Sequence, residues 1–77
     1  MKLTLYGRPE CHLCEALVAD LVPMLRDGIT IETVDVDGSV ALERRYGLRI
    51  PVLAAGEVEL SGYPLDRDRV QRFLDSL

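Results

Sequence analysis

Two thiols stand three positions apart in Cys11-His12-Leu13-Cys14, where a strand-like segment from Lys2 to Tyr6 gives way to a helix-like one. A thiol in the first turn of a helix faces unsatisfied backbone N–H groups and the positive end of the helix dipole, and both favour the thiolate. The thiolate is the species that attacks disulfides. One turn further in, Cys14 is within reach of any mixed disulfide formed on Cys11 and can release the partner reduced. The spacing therefore points to thiol-disulfide exchange with Cys11 as nucleophile and Cys14 as resolving thiol, a reaction that requires no bound cofactor.

Other uses of the pair weigh less. A purely structural bridge would close a four-residue loop, for which the chain-entropy estimate is only about 2 kcal/mol. Structural zinc wants four ligands, and the chain's two cysteines and one histidine all sit in this tetrapeptide. A metal shared between chains, or an inert remnant, are the remaining alternatives. His12 either tunes the thiolate or is a solvent-facing histidine without a role.

The rest of the chain must position that pair. At 77 residues one small domain, spanning 1–77, is expected to bury only about 60% of its unfolded surface, so nearly all its apolar residues, with a hydrophobic content of 48%, belong in one core. No stretch is long or apolar enough to span a membrane, and the motif lies too near Met1 for a cleaved secretory leader, so a cytoplasmic setting is expected. There paired cysteines are more often catalytic than structural. A formal net charge of −4 argues against generic binding to nucleic acid or to an anionic membrane.

Hydrophobic periodicity changes in an orderly way. Lys2–Tyr6 reads as a strand and Gly7-Arg8-Pro9-Glu10 as a loop. From Cys11 the spacing is helical, with Leu13, Leu17, Leu21 and Leu25 as an apolar stripe, until Asp27-Gly28 ends the segment. Pro23 predicts a kink or an early end near Val22. Ile29 to Val36 reads as a second strand whose break in phase leaves room for a bulge or bend. Ser39 is a good N-cap for a short helix through Tyr46, with Gly47 placed for a left-handed C-terminal residue. Pro51–Ala54 and Val58–Leu60 flank Ala55-Gly56-Glu57 as a hairpin. Asp66 can cap a final helix whose Val70, Phe73, Leu74 and Leu77 form one face.

The resulting order, βαβαββα, is an α/β arrangement with a mixed four-stranded sheet covered by helices. It is the minimal thioredoxin-like layout. Over nearly its whole length the chain resembles the small glutaredoxin-like proteins, on the strength of Tyr6-Gly7-Arg8, Cys11-His12-Leu13-Cys14, Val34-Asp35-Val36-Asp37, Ile50-Pro51-Val52 and Ser61-Gly62.

That resemblance implies roles for further residues. Ile50-Pro51 stands where the family carries a cis proline opposite the active thiol, shaping the substrate groove. Arg8, three residues before Cys11, stands where the family often has a basic residue that favours the thiolate and meets a glutathione carboxylate, and Arg49 adds to this. Glu10 opposes them by disfavouring a second negative charge. His12, Gly62 and Tyr63 complete the implied substrate-binding set, which includes no metal ligand.

The departures from the family pattern are informative. His-Leu replaces the Pro-Tyr common between the cysteines of dithiol glutaredoxins. Ser61-Gly62-Tyr63-Pro64 replaces the Gly-Gly-x-Asp that holds the γ-glutamyl end of glutathione. Leu60-Ser61-Gly62-Tyr63 is instead similar to the Trp-Ser-Gly-Phe stretch of the small redoxins that serve ribonucleotide reductase, without its tryptophan. The implied activity is a monomeric oxidoreductase acting on protein disulfides, with glutathione or a thioredoxin-reductase-type flavoprotein as electron donor. An iron–sulfur cluster carrier and a non-catalytic docking module are the rival classes.

Overall fold

The computed structural model describes all of residues 1–77. Four strands, β1 (Lys2–Gly7), β2 (Thr30–Asp35), β3 (Val52–Ala55) and β4 (Val58–Ser61), alternate with three helices, α1 (His12–Leu21), α2 (Val40–Tyr46) and α3 (Arg67–Asp75), in the order βαβαββα. The sheet order is β2-β1-β3-β4. β1 and β2 are parallel, whereas β3 pairs antiparallel with both β1 and β4. This is the expected mixed thioredoxin-like sheet.

Period-2 alternation along β1 divides the core between the two faces of the sheet. Leu3 and Leu5, with Leu53 of β3, face Leu17 and Leu21 of α1 and Val70 and Leu74 of α3. On the other face Val52 packs with Val36 and Tyr46, and Tyr6, Leu42 and Ile50 close around them. Helices thus cover both faces, with α1 and α3 on one and α2 on the other. Each fully buried leucine contributes about 1.5–3 kcal/mol through removal from water. Arg26 ties the loop after α1 to α3 by donating to the Leu74 carbonyl at 2.8 Å and pairing with Asp75.

Local chemistry sets most element ends. Ser39 Oγ accepts from the Leu42 N–H at 3.3 Å and Asp66 Oδ1 from the Arg69 N–H at 3.0 Å, so both expected caps form. α1 stops at Leu21 and tightens into a 3₁₀ turn, Val22–Met24, with Pro23 in its first positions, where the missing N–H does no harm. Gly56 takes φ 61° in the two-residue turn between β3 and β4, a conformation that suits glycine.

Four local expectations are corrected. Leu13 does not join the buried stripe of α1; it is 49% exposed, because the buried face of the helix runs through Cys14, Leu17 and Leu21. β2 has no bulge and runs in unbroken register from Lys2↔Thr30 to Gly7↔Asp35. Its phase break arises because Ile29 and Ile31 pack with the α1/α3 core while Val36, beyond the strand, packs under α2. The irregularity lies instead between β3 and β4, where the register shifts between Leu53 and Ala54. Gly47 is right-handed, with φ −54°. A Cβ there would lie 2.5 Å from the Glu43 carbonyl oxygen and 3.2 Å from Arg8 Nη2, so close approach, not handedness, calls for glycine. Leu77 falls beyond α3 and is 64% exposed.

Candidate functional site

The C-terminal end of β1 delivers the chain to the site. Glu10 takes φ 59°, a left-handed conformation costing a non-glycine residue about 1–2 kcal/mol, and this turn sets Cys11 at the N-cap of α1. Cys11 and Cys14 form a disulfide with Cα atoms 5.2 Å apart. Cys11 Sγ also accepts from the Cys14 N–H at 3.2 Å, and the Glu15 N–H donates to the Cys11 carbonyl at 3.0 Å. Cys11 therefore does for its helix what serine or aspartate does at other N-termini. It is partly exposed, whereas Cys14 is 6% exposed.

A cavity of about 370 Å³ opens beside the disulfide. Both cysteines line it, with Arg8, Pro9 and Glu10 from the entry loop, Leu5 from β1, Glu15 and Val18 from α1, and Thr33 from β2. Four residues singled out for their charge or chemistry, Arg8, Glu10, Cys11 and Cys14, thus share one concave surface. Glu15, Val18 and Thr33 carry no sequence motif that marks them for this site. Their signal is tertiary: Thr33 is in register with Leu5 across β1 and β2, which a single strand's pattern does not disclose.

Arg8 is not a free cation. Its Nε donates to both carboxylate oxygens of Asp37 at 3.0 Å and its Nη1 to the Gly47 carbonyl at 3.0 Å. Arg49 is engaged elsewhere: it donates to Glu59 at 2.7 and 3.3 Å and to the Arg45 carbonyl at 3.0 and 3.3 Å. That hydrogen bond holds the Glu59 carboxyl below its ordinary value. Arg45 and Arg49 also lie over the Tyr46 ring, 5.3 and 5.5 Å from its centroid, and Tyr46 stacks on Tyr6 at 4.1 Å. Burial, then the neighbouring Tyr6, raises the Tyr46 phenol above its ordinary value.

The remaining sequence-predicted residues do not line the cavity. His12 is exposed on the first turn of α1. Ile50 is half-buried against the α2 cluster, and Pro51 is fully buried. The Ile50–Pro51 and Tyr63–Pro64 bonds are both cis. Gly62 lies beside Pro51, since a Cβ on it would be 3.7 Å from the Pro51 carbonyl oxygen. Tyr63 is 44% exposed. At the approach to α3, Ser61 Oγ accepts the Asp66 N–H at 2.8 Å and donates to the Gly62 carbonyl at 2.7 Å. No group of three or more His, Cys, Asp or Glu side chains is placed to hold a metal ion, and no helix is long and apolar enough to cross a membrane.

Comparisons with known proteins agree with this geometry. The sequence profile of the glutaredoxin-like domain family (DUF836) matches residues 2–75. The X-ray structure of Northeast Structural Genomics target protein XcR50 from X. campestris is 40% identical and superposes with a TM-score of 0.74 over 97% of both chains. The solution structure of the same target gives 37% identity and a TM-score of 0.73, covering 100% of this chain and 96% of the other. No curated protein matches the chain.

Proposed function

The chain belongs to the glutaredoxin-like domain family, and from that premise we propose that it is a thiol-disulfide oxidoreductase acting on protein disulfides. The observation that carries this reading is the asymmetry of the Cys11–Cys14 pair: one sulfur partly exposed at the helix N-cap, the other buried one turn away and already bonded to it. When the pair is reduced, the first turn of α1 favours a thiolate at Cys11. That thiolate attacks the partner disulfide, and Cys14 then attacks the Cys11 sulfur and restores the internal disulfide. Short separation makes the second step intramolecular and fast.

The electron donor in this reading is a thioredoxin-reductase-type flavoprotein or another protein dithiol, with glutathione a poor substitute. Two features support it: the Arg8 guanidinium is already bonded to Asp37 and Gly47, and Pro64 offers no N–H before α3. The test is reduction of a disulfide-bonded protein such as insulin. Cys11→Ser should fall to the uncatalysed rate, and Cys14→Ser should accumulate a mixed disulfide on Cys11 visible by mass. A Cys11→Ser variant that keeps the parent rate would overturn the assignment.

A further inference from the structure

The cavity beside the disulfide has an apolar floor and an acidic rim. Leu5, Val18 and buried Cys14 form the floor. Glu10 and Glu15, both exposed, line it as well, and neither belongs to any of the chain's ion pairs. Arg8 does not offset them, because its charge is met by Asp37. Thr33 creates the space: two residues after Ile31 on the same face of β2, it is smaller than the isoleucine that packs into the core.

We infer that this cavity seats the lysine or arginine side chain of a disulfide-bearing partner, so that the protein prefers disulfides flanked by basic residues. The inference rests on the oxidoreductase reading and names the substrate class of that site. A long cationic side chain suits both surfaces, its aliphatic stem along Leu5 and Val18 and its head between Glu10 and Glu15. An apolar side chain would leave two carboxylates facing it, and an acidic one would meet like charge. The bound cation places the partner disulfide against Cys11. The Cys11 thiolate then displaces one partner sulfur, which leaves as thiolate and takes up a proton. Cys14, giving up its own proton, displaces the second. Two electrons pass from the dithiol to the partner, and the chain is left with its Cys11–Cys14 disulfide.

The test uses pre-reduced protein in single turnovers with two peptide disulfides differing only in flanking lysines or flanking glutamates, and with neutral hydroxyethyl disulfide. The readout is the ratio of the lysine to the glutamate rate constant, which cancels any change in thiol reactivity. A ratio of about tenfold at low ionic strength is expected, shrinking with salt. The Glu10→Gln/Glu15→Gln double variant should bring it near one. Glu57→Gln/Asp27→Asn removes the same charge from the far end of the sheet and should leave it unchanged. Glu15→Gln alone, free of the Glu10 turn, should lower it part-way. A parent ratio near one with brisk reduction of all three disulfides would overturn this inference alone, as would an equal effect of the remote double variant. Failure to reduce any of the three would overturn the oxidoreductase reading itself.

Discussion

Gly7 lies directly against the sulfur of Cys14: a Cβ built on it would sit 2.7 Å from Cys14 Sγ and 3.5 Å from Cys14 Cβ. The last residue of β1 is therefore buried backbone on which the buried thiol rests. Any side chain there must displace the cysteine or the strand. This ties the sheet to the redox pair more directly than any polar contact.

Gly7→Ala should accordingly destabilise the protein by about 1–3 kcal/mol, the usual range for overpacking. Gly38→Ala is the control, since a Cβ there meets nothing within 4 Å, and its effect should stay within about 0.5 kcal/mol. Urea denaturation of the oxidised proteins measures both. Equal stability of Gly7→Ala and parent would show that Cys14 can move aside freely.

Exposure predicts the order of thiol modification. In reduced protein Cys11, at the N-cap, should be alkylated first, and Cys14, only 6% exposed, should lag behind it. Peptide mapping after brief iodoacetamide treatment gives the order directly. Faster labelling of Cys14 would reverse the assignment of nucleophile and resolving thiol.

Two carboxylates predict the acid limb of stability. A hydrogen bond from Arg49 holds Glu59 below its ordinary 4.5, and hydrogen bonds from Arg26 and then Gln71 hold Asp75 below its ordinary 3.8. A depressed folded-state value stabilises fully above the unfolded value and is lost as pH falls through the folded one. The loss therefore begins near those ordinary values and deepens below them. Asp75 is exposed and Glu59 only half-buried, so the effect should shrink in high salt. Glu59→Gln and Asp75→Asn should each flatten the fall of Tm on acidification. Variants as acid-sensitive as the parent would show that these pairs contribute nothing measurable.

Tyr46 predicts the alkaline limb. Its phenol, raised above the ordinary 10.0 by burial and by Tyr6, stays neutral in the folded state at pH values where the unfolded chain already ionises. Stability is full below that ordinary value and declines as pH rises through the folded one. Tyr46→Phe keeps the ring stacked on Tyr6 and should remove part of the alkaline loss of Tm. An unchanged alkaline slope would place the loss on other groups.

Features settled by neighbours in sequence were legible in the sequence. Ser39 and Asp66 cap their helices because a short polar side chain reaches an N–H only three residues ahead. Pro23 ends α1 because it lacks a donor. The βαβαββα order followed from the changes of period between such markers. What stayed hidden depends on contacts between distant segments. Gly47 reads as a left-handed terminator, yet the atoms that crowd it include Arg8, thirty-nine residues away. Leu13 has helical spacing with Leu17, but the face of α1 turned to the sheet runs through Cys14, Leu17 and Leu21 and leaves Leu13 to solvent. The cavity is hidden for the same reason, since Glu15 and Thr33 line one surface only once β2 is in register with β1.

The same long-range contacts bear on glutathione. Its recognition would ask Arg8 for a carboxylate contact, but Nε and Nη1 of Arg8 are already given to Asp37 and Gly47. It would also ask for N–H donors where the chain enters α3. There Pro64 has none, and the Asp66 N–H is donated to Ser61 Oγ. Exposed Asp66 and Asp68 add negative charge nearby. Each missing charge-assisted bond forfeits about 1.5–3 kcal/mol, roughly tenfold or more in affinity. Glutathione-dependent turnover should therefore be weak and unsaturated at millimolar concentrations. Asp37→Asn, which frees the Arg8 charge, should improve it several-fold. Backbone NMR shifts on titration locate the contact. Tight, saturable binding centred on Arg8, Ile50 and Gly62 in the parent protein would contradict this and make glutathione the donor.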